Sequence, residues 1–185
     1  MRVGVLALQG DFREHCLLLR DLGVEPLEVR RPAELADVSA LVIPGGESTS
    51  MERLARLAGL EEPLREFAGP LLGTCAGLIL LARGHLGRLD VAVERNAYGR
   101  QPQSFEAELA LQGDERPLQG VFIRAPRIVD WGAEVEVLAD YEGSPVLVRQ
   151  GDVIACSFHP ELAGELRVHR LLVEAAERRG ARANA

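Results

Sequence analysis

Lysine is absent from this 185-residue chain. All 21 of its basic residues are arginine, so lysine-based chemistry is closed to it. Methionine occurs twice and asparagine only at 96 and 184, a composition that suits a heat-tolerant source or a biased genome. The eight aromatics (five Phe, two Tyr, one Trp) are too few for base-stacking platforms, and a formal charge of −7 repels phosphate backbones. No nucleic-acid partner is expected. The longest apolar run, Ala76 to Ala82, falls far short of the roughly 20 residues that span a bilayer. Val3 to Leu8 is too short for a secretory core and runs straight into Gln9-Gly10-Asp11, so neither a membrane span nor a signal peptide is read here. The expectation is a soluble, cytoplasmic protein. Cysteines at 16, 75 and 156 form an odd set without CxxC spacing, which argues against a disulfide framework or a zinc site. The four histidines are scattered, and neither metal nor cofactor is expected.

What is present is enough for a core. Hydrophobic residues make up 47% of the chain and charged ones 26%, as in ordinary soluble domains. No linker-like stretch or internal repeat divides it, and residues 1–185 are read as one domain. Arg2 to Leu8, Val24 to Arg30, Ala40 to Ile43 and Leu71-Leu72 read as strands that alternate with helices. The first helix follows Asp11 as a cap. The second is headed by a capping box of Thr49 and Glu52, a short one runs from Pro63 to Phe67, and a fourth from Leu78 to Ala82. Such alternation predicts an α/β, flavodoxin-like three-layer fold: a central, mostly parallel sheet with helices on both faces and ligands beyond the carboxyl ends of its strands. From residue 89 six short strands follow: 91–93, 105–109, 121–123, 135–138, 145–148 and 153–158. They are read as an extension of the sheet plus a β-rich flap. A helix from Glu165 to Arg178 and a frayed tail from Gly180 complete the chain.

Gly73-Thr74-Cys75-Ala76-Gly77 has the G-x-nucleophile-x-G form of a nucleophile elbow, placed where a buried strand turns into a helix. A nucleophile at such a tip is strained, and side chains on either flank would collide with the adjoining strand and helix. The helix N-terminus also favours a thiolate. The plain alternative is a buried structural cysteine. In His159-Pro160-Glu161, proline holds His159 extended, so the side chains at 159 and 161 project to one side. Glu161 can then orient the imidazole toward the thiol, giving the order of a Cys-His-Glu triad, against the alternative of a surface histidine in a turn. Pro44-Gly45-Gly46-Glu47-Ser48 follows a strand and precedes a helix. Gly46 there can offer an N–H to an oxyanion while Ala76 supplies a second from its own backbone. No GK[ST] follows, which excludes a P-loop.

Together these three motifs resemble class I (triad) glutamine amidotransferases. The resemblance is closer still to the glutaminase subunits of pyridoxal 5′-phosphate synthase, through Val5-Leu6-Ala7-Leu8-Gln9-Gly10, Arg13-Glu14-His15, Val93-Glu94-Arg95-Asn96, Tyr98-Gly99-Arg100-Gln101, Ser104-Phe105-Glu106 and Val121-Phe122-Ile123-Arg124-Ala125-Pro126. It implies hydrolysis of L-glutamine by Cys75, His159 and Glu161 through a γ-glutamyl thioester. The ammonia would pass to a synthase subunit that builds pyridoxal 5′-phosphate. It also implies glutamine contacts at Gly46, Glu47, Ser48, Arg95, Ile123 and Arg124, with Gln9 beside an oxyanion loop that is completed when the synthase docks. The isolated chain is then a poor glutaminase. Without the resemblance, Arg95 and Arg124 could equally be solvated surface arginines, and Cys16 and Cys156 read as core packing. The segments before Leu71 and around His85 to Leu89 run shorter than that family's pattern, at surface loops away from the three motifs. The rival readings are a glutaminase serving another synthase, such as imidazole glycerol phosphate synthase, a cysteine peptidase or esterase on a related elbow fold, and a non-catalytic adaptor.

Overall fold

The computed structural model describes residues 1–95 and 104–183. Four short apolar segments are long enough only for strands: β1 (Arg2–Leu6), β2 (Glu25–Val29), β3 (Ala40–Ile43) and β4 (Leu71–Thr74). They alternate with α1 (Phe12–Asp21), α2 (Ser48–Leu57), α3 (Glu61–Glu66) and α4 (Ala76–Leu81). β5 (Val91–Glu94), β6 (Ser104–Leu109), β7 (Leu118–Ile123), β8 (Arg127–Trp131), β9 (Glu136–Tyr141), β10 (Ser144–Gln150) and β11 (Val153–Cys156) follow, and α5 (Leu166–Ala183) closes the chain. Seven strands form the central sheet in the order β2-β1-β3-β4-β11-β10-β9. The first five are parallel, and β10 and β9 add antiparallel at one edge.

Apart from the edge strand β2, the parallel strands are apolar on both sides, as strands covered twice must be. Val3 and Val5 of β1, Ala40 and Val42 of β3, and Ile154 and Cys156 of β11 enter one core with Leu19 of α1 and Val168 and Leu172 of α5. Their neighbours Leu6, Leu41, Ile43, Val153 and Ala155 enter the other, with Met51 of α2, Leu64 of α3 and Leu78 of α4. The period of two thus splits each strand between two helical layers. The remaining four strands form two antiparallel pairs, one against each core. β6 and β7 pack through Leu109, Leu118 and Phe122, and Phe122 stacks on Phe105 with ring centroids 4.6 Å apart. β5 and β8 pack through Val91 and Ile128 on the opposite face.

Three local expectations change. The head of α2 is capped by Glu47, whose carboxylate accepts from the N–H groups of Thr49 and Ser50 at 3.1 and 2.7 Å, and not by Thr49 with Glu52. Asp11 precedes α1 but makes no side-chain cap, because its carboxylate is turned elsewhere. The last helix continues to Ala183 where a frayed tail was expected, since arginine and alanine favour helix and Gly180 meets no crowding. β8 and the short 3₁₀ helix over Pro32–Asp37 carry no marked periodicity in the sequence. The Tyr98–Gln101 motif and Asn96 lie outside the described residues.

Candidate active site

Four neighbouring strands, β1, β3, β4 and β11, point their carboxyl ends at one rim, next to the place where the strand order reverses between β1 and β3. Each delivers a side chain or loop to it: Gln9 and Asp11 after β1, Gly45-Gly46-Glu47-Ser48 after β3, Cys75 after β4 and His159 after β11. Arg95 arrives from the end of β5, and Ile123 with Arg124 from the end of β7. All of these except Gly45, with Ala76, Ile79 and Leu162, line a cavity of about 430 Å³. Every residue expected from the sequence to touch glutamine or the oxyanion borders it. Glu161 lies buried behind His159.

The turn from β4 to α4 puts Cys75 at φ 48° and ψ −103°, a conformation costly for any residue but glycine. Its backbone is pinned by a 2.9 Å hydrogen bond from its N–H to the Cys156 carbonyl of β11. The flanking glycines are there for space: a Cβ on Gly77 would stand 2.0 Å from the Ile43 carbonyl oxygen, and one on Gly73 would stand 2.7 Å from the Gly77 carbonyl. The sulfur lies 3.9 Å from the Ile123 carbonyl oxygen.

His159 is fixed twice. Its backbone N–H donates to the Val121 carbonyl of β7 at 2.8 Å, and its ring Nδ1 meets Glu161 Oε1 at 2.7 Å. Asp11 Oδ2 approaches the same nitrogen at 3.3 Å, which is where the missing α1 cap has gone. With Nδ1 taken by carboxylates, Nε2 is the ring nitrogen left for Cys75. Burial opposes a charge on this ring, but its interactions with the Asp11 and Glu161 carboxylates and with Cys75 outweigh it and its pKa is pushed up to about 12. Burial pushes the Glu161 carboxyl up, and His159 pulls it back. The row of sulfur, imidazolium and carboxylate can carry out nucleophilic attack with proton transfer to a leaving group.

The loop after β3 is held from the β1 side. Asp11 donates its N–H to the Gly45 carbonyl at 3.2 Å, and the Glu47 N–H donates to Gln9 Oε1 at 2.7 Å. The hydrogen bonds from Ser50 and Thr49 hold the Glu47 carboxyl down at about 2, so it stays ionised as a helix cap. Arg95 reaches back to α2, donating to Thr49 Oγ1 at 3.1 Å. Arg124 stands at φ 44°, a second strained non-glycine residue at the rim.

Sequence reasoning missed Asp11, Ile79 and Leu162 at the cavity and a buried layer beneath it. His15 of α1 bonds Thr74 Oγ1 at 3.2 Å and His169 of α5 at 2.7 Å, and its Nε2 lies 3.5 Å from Glu161 Oε2. The one signal was that Asp11 and His15, four residues apart, share a face of α1. Among the described residues, Asp11, His159 and Glu161 bring His and carboxylate atoms close enough for a cation. Those same atoms already hold the imidazole, and a cation there would displace it from Cys75.

Residues 5–178 match the SNO glutamine amidotransferase family. Two curated relatives are both called pyridoxal 5′-phosphate synthase subunit PdxT. The Shouchella clausii protein is 50% identical over 94% of each chain, and the Parafrankia protein is 53% identical over 94% of this chain and 92% of its own. A crystal structure of a glutamine amidotransferase superposes with TM-score 0.88 at 50% identity, covering 95% of this chain and 98% of that one. A Thermoplasma acidophilum structure described as a GMP synthase protein shares the fold at TM-score 0.78 and 18% identity, covering all of this chain and 98% of its own.

Proposed function

We propose that this chain, which belongs to the SNO glutamine amidotransferase family, hydrolyses L-glutamine to L-glutamate and ammonia as the glutaminase subunit of a cytoplasmic pyridoxal 5′-phosphate synthase. The observation that carries the reading is the buried row of Cys75, His159 and Glu161 opening into a cavity at the carboxyl ends of parallel strands.

The Cys75 sulfur attacks the side-chain amide carbon of glutamine, and the carbonyl electron pair moves to oxygen. The Ala76 N–H and the Gly46 segment receive that oxyanion. Its collapse breaks the C–N bond as His159 Nε2–H gives its proton to the departing nitrogen, releasing ammonia and leaving a γ-glutamyl thioester. His159, now neutral, takes a proton from water as the water oxygen attacks the thioester, and cleavage of the C–S bond frees glutamate and Cys75. Throughout, Glu161 keeps Nδ1 protonated and the ring in register. Arg95 and Arg124 suit the α-carboxylate of a free amino acid, and the Ile123 carbonyl suits its α-ammonium. Ser48, buried at the start of α2, closes the side of the cavity below them.

The Glu47 N–H is taken by Gln9, so the loop facing Cys75 is tied to β1 in the isolated chain. Docking of the synthase would release it and deliver ammonia only where an acceptor waits. The test is to mix the chain with the purified synthase partner that makes pyridoxal 5′-phosphate and to follow glutamate release. The expected result is low turnover alone, a large rise in the mixture, abolition by Cys75→Ala, and labelling of Cys75 by a glutamine-like diazo ketone. Activation by imidazole glycerol phosphate synthase instead, or labelling at another residue, would overturn the reading.

A further inference from the structure

Beneath the reacting groups lies a buried polar chain to which glutamine hydrolysis, as derived from the triad, assigns no part. Glu161 has no exposed side-chain surface, and only Oε1 is paired with His159. Its Oε2 has a single polar neighbour on the α1 side, His15 Nε2 at 3.5 Å, just beyond a full hydrogen bond. His15 is itself completely buried and sits between Thr74, the residue before the nucleophile, and His169. Burial, and then the neighbouring His169 and His159, keep the His15 ring neutral, and burial does the same to His169. Each ring therefore carries one N–H, and the 2.7 Å contact between His15 Nδ1 and His169 Nε2 holds one proton.

Two arrangements are possible. If His169 donates from Nε2, His15 carries its proton on Nε2, aimed at the carboxylate and at Thr74. If His15 donates from Nδ1, its bare Nε2 presents a lone pair to Glu161 Oε2. An ionised carboxylate in a dry interior favours the first arrangement, because the second sets two acceptors against each other. His169 does not decide between them: its Nδ1 lies near the Glu165 carbonyl without forming a full hydrogen bond, so the choice falls to the carboxylate.

We propose that His15 is a positioning residue for the glutaminase step, its Nε2–H kept on Glu161 Oε2 by His169 so that the carboxylate stays ionised and aligned with His159. The proposal rests on the glutaminase reading for its kinetic consequence but not for its geometry. The groups facing Glu161 are His159 and Asp11 on the cavity side, its own backbone N–H, His15 from α1, and the Cys156 thiol. Withdrawing the His15 donor leaves only His159 and the residue's own backbone N–H to oppose Asp11 and the desolvation, so Glu161 takes up a proton at a higher pH. The acid limb of the kcat profile then moves upward.

The test uses the full chain in complex with its synthase partner and compares wild type with His15→Leu and His15→Gln, which keeps an N–H donor. His15→Leu is expected to lower kcat by roughly ten- to a hundred-fold, the range for a hydrogen bond to a charged group, with KM for glutamine within about two-fold. Its acid limb shifts to higher pH, and His15→Gln recovers part of both effects. A wild-type kcat and profile in His15→Leu, or a loss in both variants that merely follows their melting temperatures, would overturn the proposal. If His15→Leu does not fold, ¹⁵N chemical shifts of the histidine rings in the wild-type chain still decide it: an Nε2–H tautomer at His15 supports it and an Nδ1–H tautomer overturns it. Iodoacetamide alkylation of Cys75 against pH, measured without glutamine, separates the two readings. A chain that never turns over glutamine sinks the proposed activity, while the tautomer and the alkylation profile still judge His15.

Discussion

The residues proposed as nucleophile, base and orienting carboxylate were legible because each sits in a short motif with its own backbone logic. Cys75 is announced by glycines that its turn requires, and His159 and Glu161 by a proline between them. The cost of a methyl group at Gly77 follows directly. Gly77→Ala drives a carbon into the Ile43 carbonyl of β3 and is expected to lose about 3 kcal/mol or more, read as a drop in the denaturant midpoint, with Cys75 reactivity falling alongside. Asp11, His15 and His169 were not legible. Asp11 and His15 are marked only by their four-residue spacing and His169 by nothing; Asp11 reaches His159, and His15 reaches Glu161 and His169, only because α1 and α5 pack on the same side of the sheet.

The buried histidines set a pH dependence whose sign can be worked out. In the fold the pKa of His15 is lowered well below 6.5, and that of His169 is lowered to about 4, in both cases chiefly by burial. Protonation therefore favours the unfolded chain. Their stabilisation is complete above about pH 6.5 and is lost as pH falls toward 4, by up to about 1.4 kcal/mol per pH unit for each ring. The lowered carboxyls of Asp114 and Glu165 act only below their ordinary range near 4, while the buried Glu161 carboxyl, raised in the fold, takes up its proton above that range and offsets part of the histidine effect between 6.5 and 4.5. His159 runs the other way: its raised pKa stabilises fully below about 6.5, and that contribution disappears only as pH climbs toward 12. Urea midpoints are thus expected to decline between pH 6.5 and 4.5, and His169→Leu should flatten the decline. A flat wild-type curve in that interval would contradict the neutral assignment.

At the scale of elements, the strands and α-helices of the first half were legible to within about two residues at each end, since their apolar runs are short, continuous and punctuated by glycine. The head of α2 was not. Thr49 with Glu52 satisfies the familiar capping pattern, yet Glu47 stands one residue before the helix, with a side chain long enough to reach two open N–H groups. Glu47→Ala is expected to speed amide hydrogen exchange at Thr49 and Ser50 and to loosen the Thr49 hydroxyl that Arg95 uses. Unchanged exchange at both amides would mean that the cap lies elsewhere. β8 was missed because its outward residues Val129 and Trp131 are apolar, which hides the alternation a half-covered strand normally shows.

For the whole molecule, the alternating order of strand and helix specified the parallel sheet, its two helical layers and the rim where ligands bind. It left open where the later strands would go. β9, β10 and β11 complete the sheet, while β6–β7 and β5–β8 cover opposite cores, a division that pairing in three dimensions decides. Phe122 ties the first pair to the sheet through Phe105, Tyr141 and Phe158. Phe122→Ala should cost about 3–5 kcal/mol and, by freeing the end of β7, raise KM for glutamine through Ile123 and Arg124. Denaturation and steady-state kinetics on one preparation check both halves.

Trp131 is the chain's single tryptophan and stands opposite Val91 on the β5–β8 pair, 42% exposed to solvent. Its partner strand β5 ends at Glu94, and Arg95 follows on the lip of the cavity. The single tryptophan thus sits on the strand pair that leads to the cavity proposed to take glutamine, so its emission intensity can follow glutamine capture or synthase docking in real time, with no dye attached.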